Sequence, residues 1–185
     1  MKSGRSTNYL SRSDAISLLK KEGCNESVIR HSLTVSKNAK RIAEDIKANG
    51  YDIDVEFIEI ASLLHDIGRC KTHGITHGIE GGKILKKISP KFARVCETHI
   101  GAGLDKKEAA SLGLPARDYL PETLEEKVIA HADNLVQGEK IVGINEAIKE
   151  FEEKLGRGHP AIKRVKELND FIERLRKNAH KKRPL

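Results

Sequence analysis

The sequence predicts an all-α protein, a single-domain helical bundle. Apolar residues recur at three- and four-residue spacings through nearly every segment, and no stretch sustains the alternation of a half-buried strand. Cap residues and glycines punctuate these runs at helix-length intervals. A length of 185 residues suits one domain that buries its own core without covalent staples. No internal repeat or dividing linker is present, so the domain is expected over residues 1–176 with a basic tail over 177–185.

Ser13 can cap a short helix through Lys21 that Gly23 stops. Asn25 can cap a longer one to about Ala48, whose apolar face reads Val28, His31, Val35, Ala39, Ile42, Ile46. Asp54 starts a helix through about Asp66 that is apolar nearly all round, which places it centrally, and Gly68 ends it. A polar loop over 69–76 leads to a helix from Gly78 to Lys87. Pro90 suits the first turn of the next helix, which runs to His99. A short helix spans Asp105 to Ser111, and residues 112–121, holding Gly113, Pro115 and Pro121, form a candidate lid. Helices from Glu122 to Val136, Ile144 to Leu155 and Pro160 to Lys177 complete the chain.

Composition narrows the function classes. With four Phe, three Tyr and no Trp, the chain is poor in the ring platforms on which single-stranded nucleic acid stacks. The net charge of +7 draws on a cluster at Lys177, Lys181, Lys182 and Arg183, which reads as a solvated tail. A nucleic-acid partner is therefore not expected, whereas an anionic phosphate ester suits the basic surface. The final helix mixes Lys163, Lys166 and Arg174 with Glu167, Asp170 and Glu173, an ordinary solvated face. Three cysteines without a CxxC spacing point to a reducing, cytoplasmic setting. No apolar run is long enough to span a bilayer. The sequence leaves a homo-oligomer as open as a monomer.

The chemistry concentrates at a few polar residues on apolar faces. His31 stands in an apolar stripe, Asp133 lies four residues after Ile129 and three before Val136, and His65-Asp66 closes the most hydrophobic helix. A buried ionised carboxylate without a partner is severely penalised. Each residue alone has a plain explanation as a hydrogen-bonded core histidine or a capping aspartate. Two carboxylates and two imidazoles directed at one interior require a shared partner, and a divalent cation supplies it.

The order His31, His65-Asp66, Asp133, with "RHSLTVSKNAKRIA", "ASLLHDIGR" and "KVIAHADNLV" around them, resembles the HD-domain superfamily of metal-dependent phosphohydrolases over roughly residues 28–136. The resemblance implies that these four residues bind a divalent metal in a helical bundle of the HD-domain type. Two further histidines, His77 in "THGIEGGKIL" and His99 in "CETHIGAG", are similar to those of the subset holding two metals. There Asp66 would bridge the ions, and His77 and His99 would complete the second site. His73, four residues before His77, competes for that role, and His131 is expected in a supporting or exposed position.

Mixed imidazole and carboxylate ligation admits Fe, Mn, Co, Ni, Zn or Mg. Two ions about 3.5–4 Å apart would clamp a phosphate and acidify a water for attack on phosphorus. Asp66 and Arg69 are the candidate catalytic residues. Arg69, directly after "HDIG", would bind the phosphate, with the backbone at Gly101 and Gly103 approaching it. The expected activity is hydrolysis of a phosphate ester or anhydride of a nucleotide, with phosphomonoesterase, phosphodiesterase and pyrophosphohydrolase chemistry unresolved. The rival reading is a metal-stabilised nucleotide- or RNA-binding module without turnover.

Overall fold

The computed structural model describes residues 10–177. Residues 178–185 of the expected basic tail and the first nine of the expected domain lie outside the described residues. Caps set most helix boundaries. Helix α1 (Arg12–Glu22) begins with a capping box between Ser11 and Asp14, so Ser11 replaces Ser13 as the cap, and Gly23 closes the helix at φ +89°. The Asn25 side chain accepts from the Val28 amide and starts α2 (Glu26–Ala48), as expected. Asp54 does the same through Phe57 for α3 (Val55–Leu64).

Helix α3 ends earlier than its apolar run suggested. His65 and Asp66 leave the α-helix, and a 3₁₀ turn over Ile67–Cys70 follows within the expected loop. Then come α4 (His77–Leu85), α5 (Pro90–Thr98), α6 (Lys106–Ser111) and α7 (Leu124–Asn134). A hairpin of β1 (Val136–Gln137) and β2 (Lys140–Ile141) interrupts the helices, pairing Val136 with Ile141 and Gln137 with Lys140. Its two-residue loop starts with Gly138 at φ +60°, a value a side chain would resist. Helices α8 (Ile144–Leu155) and α9 (Pro160–Arg176) end the described chain. The fold is all-α, with this small hairpin as its two-stranded sheet.

Helix α3 sits at the centre, bounded by α1, α2, α5 and α7. Its Phe57, Ile58, Ile60, Ala61, Leu63 and Leu64 are buried, in keeping with an all-round apolar composition. One core runs from Ala15 on α1 to Ile172 on α9. Polar ties fix the outer helices: Arg176 meets Asp45 at 2.9 Å, and the Asn38 amide donates to the Ala132 carbonyl at 3.3 Å. The irregular stretch 112–121 is tied to the body at two points. Tyr119 is buried with Ala109 and Leu114, and its amide donates to the Leu104 carbonyl at 2.8 Å. Cys24, Cys70 and Cys96 are free thiols. Among the described residues, no helix is long and apolar enough to cross a membrane.

Candidate metal centre

The end of α3 delivers two polar side chains into the core. His65 is wholly buried and Asp66 nearly so. Helix α2 brings His31 and α7 brings Asp133 to the same point, where His31 Nε2 lies 3.0 Å and His65 Nε2 3.3 Å from Asp133 Oδ1. The second oxygen of Asp66, Oδ2, faces His31 and His65 at 3.9 and 3.8 Å.

The other side of Asp66 is built by glycines. A Cβ on Gly68 would sit 1.9 Å from the His77 carbonyl oxygen, and one on Gly78 would sit 2.6 Å from the Cys96 carbonyl oxygen. The 3₁₀ turn therefore presses against α4, and α4 against α5, at distances no side chain permits. This approach sets His77 at the start of α4 beside His99 at the end of α5, their Nε2 atoms 3.2 Å apart. Asp66 Oδ1 meets them at 3.2 and 3.4 Å.

All four imidazoles are oriented alike. Nδ1 contacts a main-chain carbonyl in each: Gly138 for His31, Ser62 for His65, Gly74 for His77 and Cys96 for His99, at 2.7–2.8 Å. A carbonyl only accepts, so Nδ1 carries the proton in the neutral ring and Nε2 presents a lone pair. Four lone pairs and two carboxylates thus converge, acceptors facing acceptors. His65 Nε2 and Asp66 Oδ1 are buried without a hydrogen-bond partner.

Only positive charge relieves this arrangement. Burial pushes the His65 pKa down, yet the carboxylates of Asp66 and Asp133 prevail and raise it to about 9. Burial also opposes ionisation of Asp66 and Asp133, but neighbouring histidines hold both below the usual carboxylate range. His99, where burial dominates, shifts downward.

The donor atoms fit a metal. His31, His65 and Asp133 form one group able to hold an ion, and His65, Asp66 and His99 another, each with its ligand atoms within 4.8 Å of one another. Donors about 2.0–2.2 Å from a shared ion would lie at comparable mutual separations. The carbonyl bonds at Nδ1 are the orienting contacts that ligating histidines require. His73 is exposed, and its carbonyl is 3.5 Å from Arg69 Nη1, so it stays out of the cluster. His131 is buried against α9, 3.8 Å from Glu173, which corrects the expectation of an exposed or supporting place.

A cleft of about 270 Å³ opens over the cluster, lined by His31, Arg69, His77, His99, Asp133 and Lys154, among others. Arg69 reaches it but spends Nε on Asp66 Oδ2 at 2.5 Å. Gly101 also lines the cleft, at φ +59°. Gly103 departs from the expected phosphate contact, because its amide donates to the Ile100 carbonyl at 2.9 Å. Sequence reasoning missed Phe151 and Lys154 of α8, which border the cleft. Only the amphipathic period of α8 hints at the inward face of Phe151, and a lysine on a charged helix carries no signal at all.

Residues 28–137 match the family described as HD domain, which binds metal and suggests the metal-dependent phosphohydrolase superfamily. The chain is 53% identical over 165 residues to an uncharacterised protein of Methanocaldococcus jannaschii, covering 88% of this chain and 97% of that protein. It is 41% identical over 175 residues to a tRNA (cytidine(56)-2'-O)-methyltransferase of Picrophilus torridus, covering 93% of this chain and 49% of that enzyme. The namesake enzyme of Thermoplasma volcanium is 37% identical over 160 residues, with coverages of 85% and 45%. The chain thus spans about half the length of these two methyltransferases. No solved structure matches. A match over the segment carrying all six clustered residues, with an archaeal relative alike over nearly its full length, shows that the chain belongs to the HD-domain family.

Proposed function

We propose that the protein is a metal-dependent phosphohydrolase that cleaves a phosphate ester or anhydride of a nucleotide. The observation that carries this is the placement of Asp66, one oxygen toward His31 and His65 and the other toward His77 and His99. His31, His65, Asp66 and Asp133 would hold one divalent ion, and His77 and His99 a second, with Asp66 shared. Divalent ions bound there supply Lewis acidity toward a phosphoryl oxygen and an acidified water. The chain's own residues do the rest. Main-chain carbonyls fix the four rings so that no reorientation accompanies binding. Burial of His65 and Asp66 keeps bulk water from screening the charges. Arg69 lines the cleft and would offer it the guanidinium donors not held by Asp66 and His73, and Lys154 would add a second cation against a phosphate.

A second reading has a specific observation behind it: a metal-stabilised module that binds nucleotide or RNA without turnover. The two relatives named for tRNA run weakly against the expectation that nucleic acid is no partner. Their methyl transfer belongs to proteins about twice this length. Elemental analysis, then phosphate release from a nucleotide panel with Mn or Fe, separates the readings. Wild-type protein is expected to release phosphate. Asp66→Ala is expected to abolish release and strip metal while leaving the far-ultraviolet circular dichroism nearly intact. Full activity in that variant would refute the mechanism, and metal with RNA binding but no phosphate release would favour the module.

A further inference from the structure

Beside the metal cleft lies a second compartment of about 230 Å³, and the two share Ile100, Gly101, Phe151 and Lys154. The metal side is lined by histidines and charged groups. The far side is walled mainly by Ile75, Leu104, Leu112, Leu155 and the ring of Phe151. We propose that this compartment seats the planar ring of the substrate's organic part, a nucleobase, while the phosphoryl group lies over the cluster. This rests on the phosphohydrolase reading above and adds the residues that select the substrate.

Four observations support it. First, small-molecule pockets usually measure ~300–1,000 Å³. Neither compartment reaches that size alone, at about 270 and 230 Å³, but the two side by side do. Second, Leu112 and Leu155 on its wall are 46% and 44% exposed, among the few large apolar side chains left so open in the described residues. Apolar surface gathered at a concave site marks ligand contact. Third, Gly101 and Phe151 line both compartments and lie against each other, a Cβ on Gly101 standing at an ordinary contact distance of 3.8 Å from Phe151 Cε1.

Fourth, the polar inventory suits a ring with a hydrogen-bonding edge. His159 Nδ1 accepts from the Ala161 amide at 3.2 Å, which puts the neutral ring's proton on Nε2 as a donor. Ser111 lies on the same lining. Glu108, by contrast, is occupied by Arg164 at 2.6 Å. At the junction Lys154 pairs with Glu150 on an exposed face, from which its ammonium can swing to a phosphate. Phe151, Lys154, Leu155 and His159 follow residue 137, so this wall is added by α8 and α9 beyond the family-matched segment.

The test uses phosphate-free probes, which read the compartment independently of hydrolysis. In saturation-transfer NMR on the wild-type chain, ring protons of at least one common ribonucleoside are expected to receive saturation, and free ribose is not. Phe151→Ala is expected to remove the transfer. Leu112→Asp, at a half-exposed position where folding is little at stake, is expected to weaken binding about tenfold. Absence of transfer from every nucleoside overturns the proposal, and competition by alkyl phosphates alone assigns the wall to an aliphatic chain instead. Kinetically, both variants should raise KM for a nucleoside monophosphate at least about tenfold more than for ribose 5-phosphate. Equal effects on the two substrates also overturn it. Wild-type protein that binds nucleosides yet hydrolyses no phosphate ester would defeat the phosphohydrolase reading and leave the ring site standing.

Discussion

His77 and His99 place two unprotonated nitrogens 3.2 Å apart with Asp66 Oδ1 between their reach, a contact that repels without a cation. If they hold a second ion, His77→Ala and His99→Ala should each lower the metal-to-protein ratio from about two toward one. Elemental analysis of the purified variants measures this, and an unchanged ratio in both would reduce the site to a single ion. His31, His65, Asp66 and Asp133 were legible in the sequence because carboxylates and imidazoles at apolar positions are costly and therefore conspicuous, whereas His77 and His99 were found only through the family resemblance. His73 and His77 were not separable from spacing alone, since a loop conformation decides which ring turns inward. The spent amide of Gly103 was equally hidden, because hydrogen bonding within a turn leaves no trace in residue type.

The elements meet through small residues as much as through large ones. Gly68 touches the backbone of α4, where an added methyl would fall 1.9 Å from one atom and 2.4 Å from another. Neither neighbour is a flexible side chain, so the turn and helix must separate. Gly68→Ala is expected to cost at least ~1–3 kcal/mol of stability and to weaken metal retention by moving His77 away from Asp66. Denaturant unfolding and metal analysis would check it, and wild-type values in both would show that the contact yields easily. Helix starts were readable from Asn25, Asp54 and Asp105 because capping is local chemistry. The β1–β2 hairpin was not, because two-residue strands are too short to show alternation. Yet that hairpin supplies the Gly138 carbonyl that orients His31.

Taken whole, the molecule closes its core around a knot of like-minded acceptors, which makes the folded state a receptor for cations. Chelation should therefore lower Tm by about 5–10 °C, and Mn or Fe added back should restore it. An unshifted Tm under exhaustive chelation would mean the cluster contributes no ion-linked stability. Charge at this scale is uneven: Lys2, Arg5, Lys181, Lys182 and Arg183 account for most of the surplus of +7 and lie outside the described residues. The described body is close to balanced, so under the proposed phosphohydrolase function the cleft would draw a phosphate through local cations such as Arg69 and Lys154. The manner in which the rings are steadied carries a last implication, for evolution. Ser62, Gly74, Cys96 and Gly138 offer only their carbonyl groups, which every amino acid possesses. Relatives can therefore vary Ser62 and Gly74 without mistuning the site, provided the local winding of the chain survives, whereas Gly138 is held to glycine by its φ of +60°.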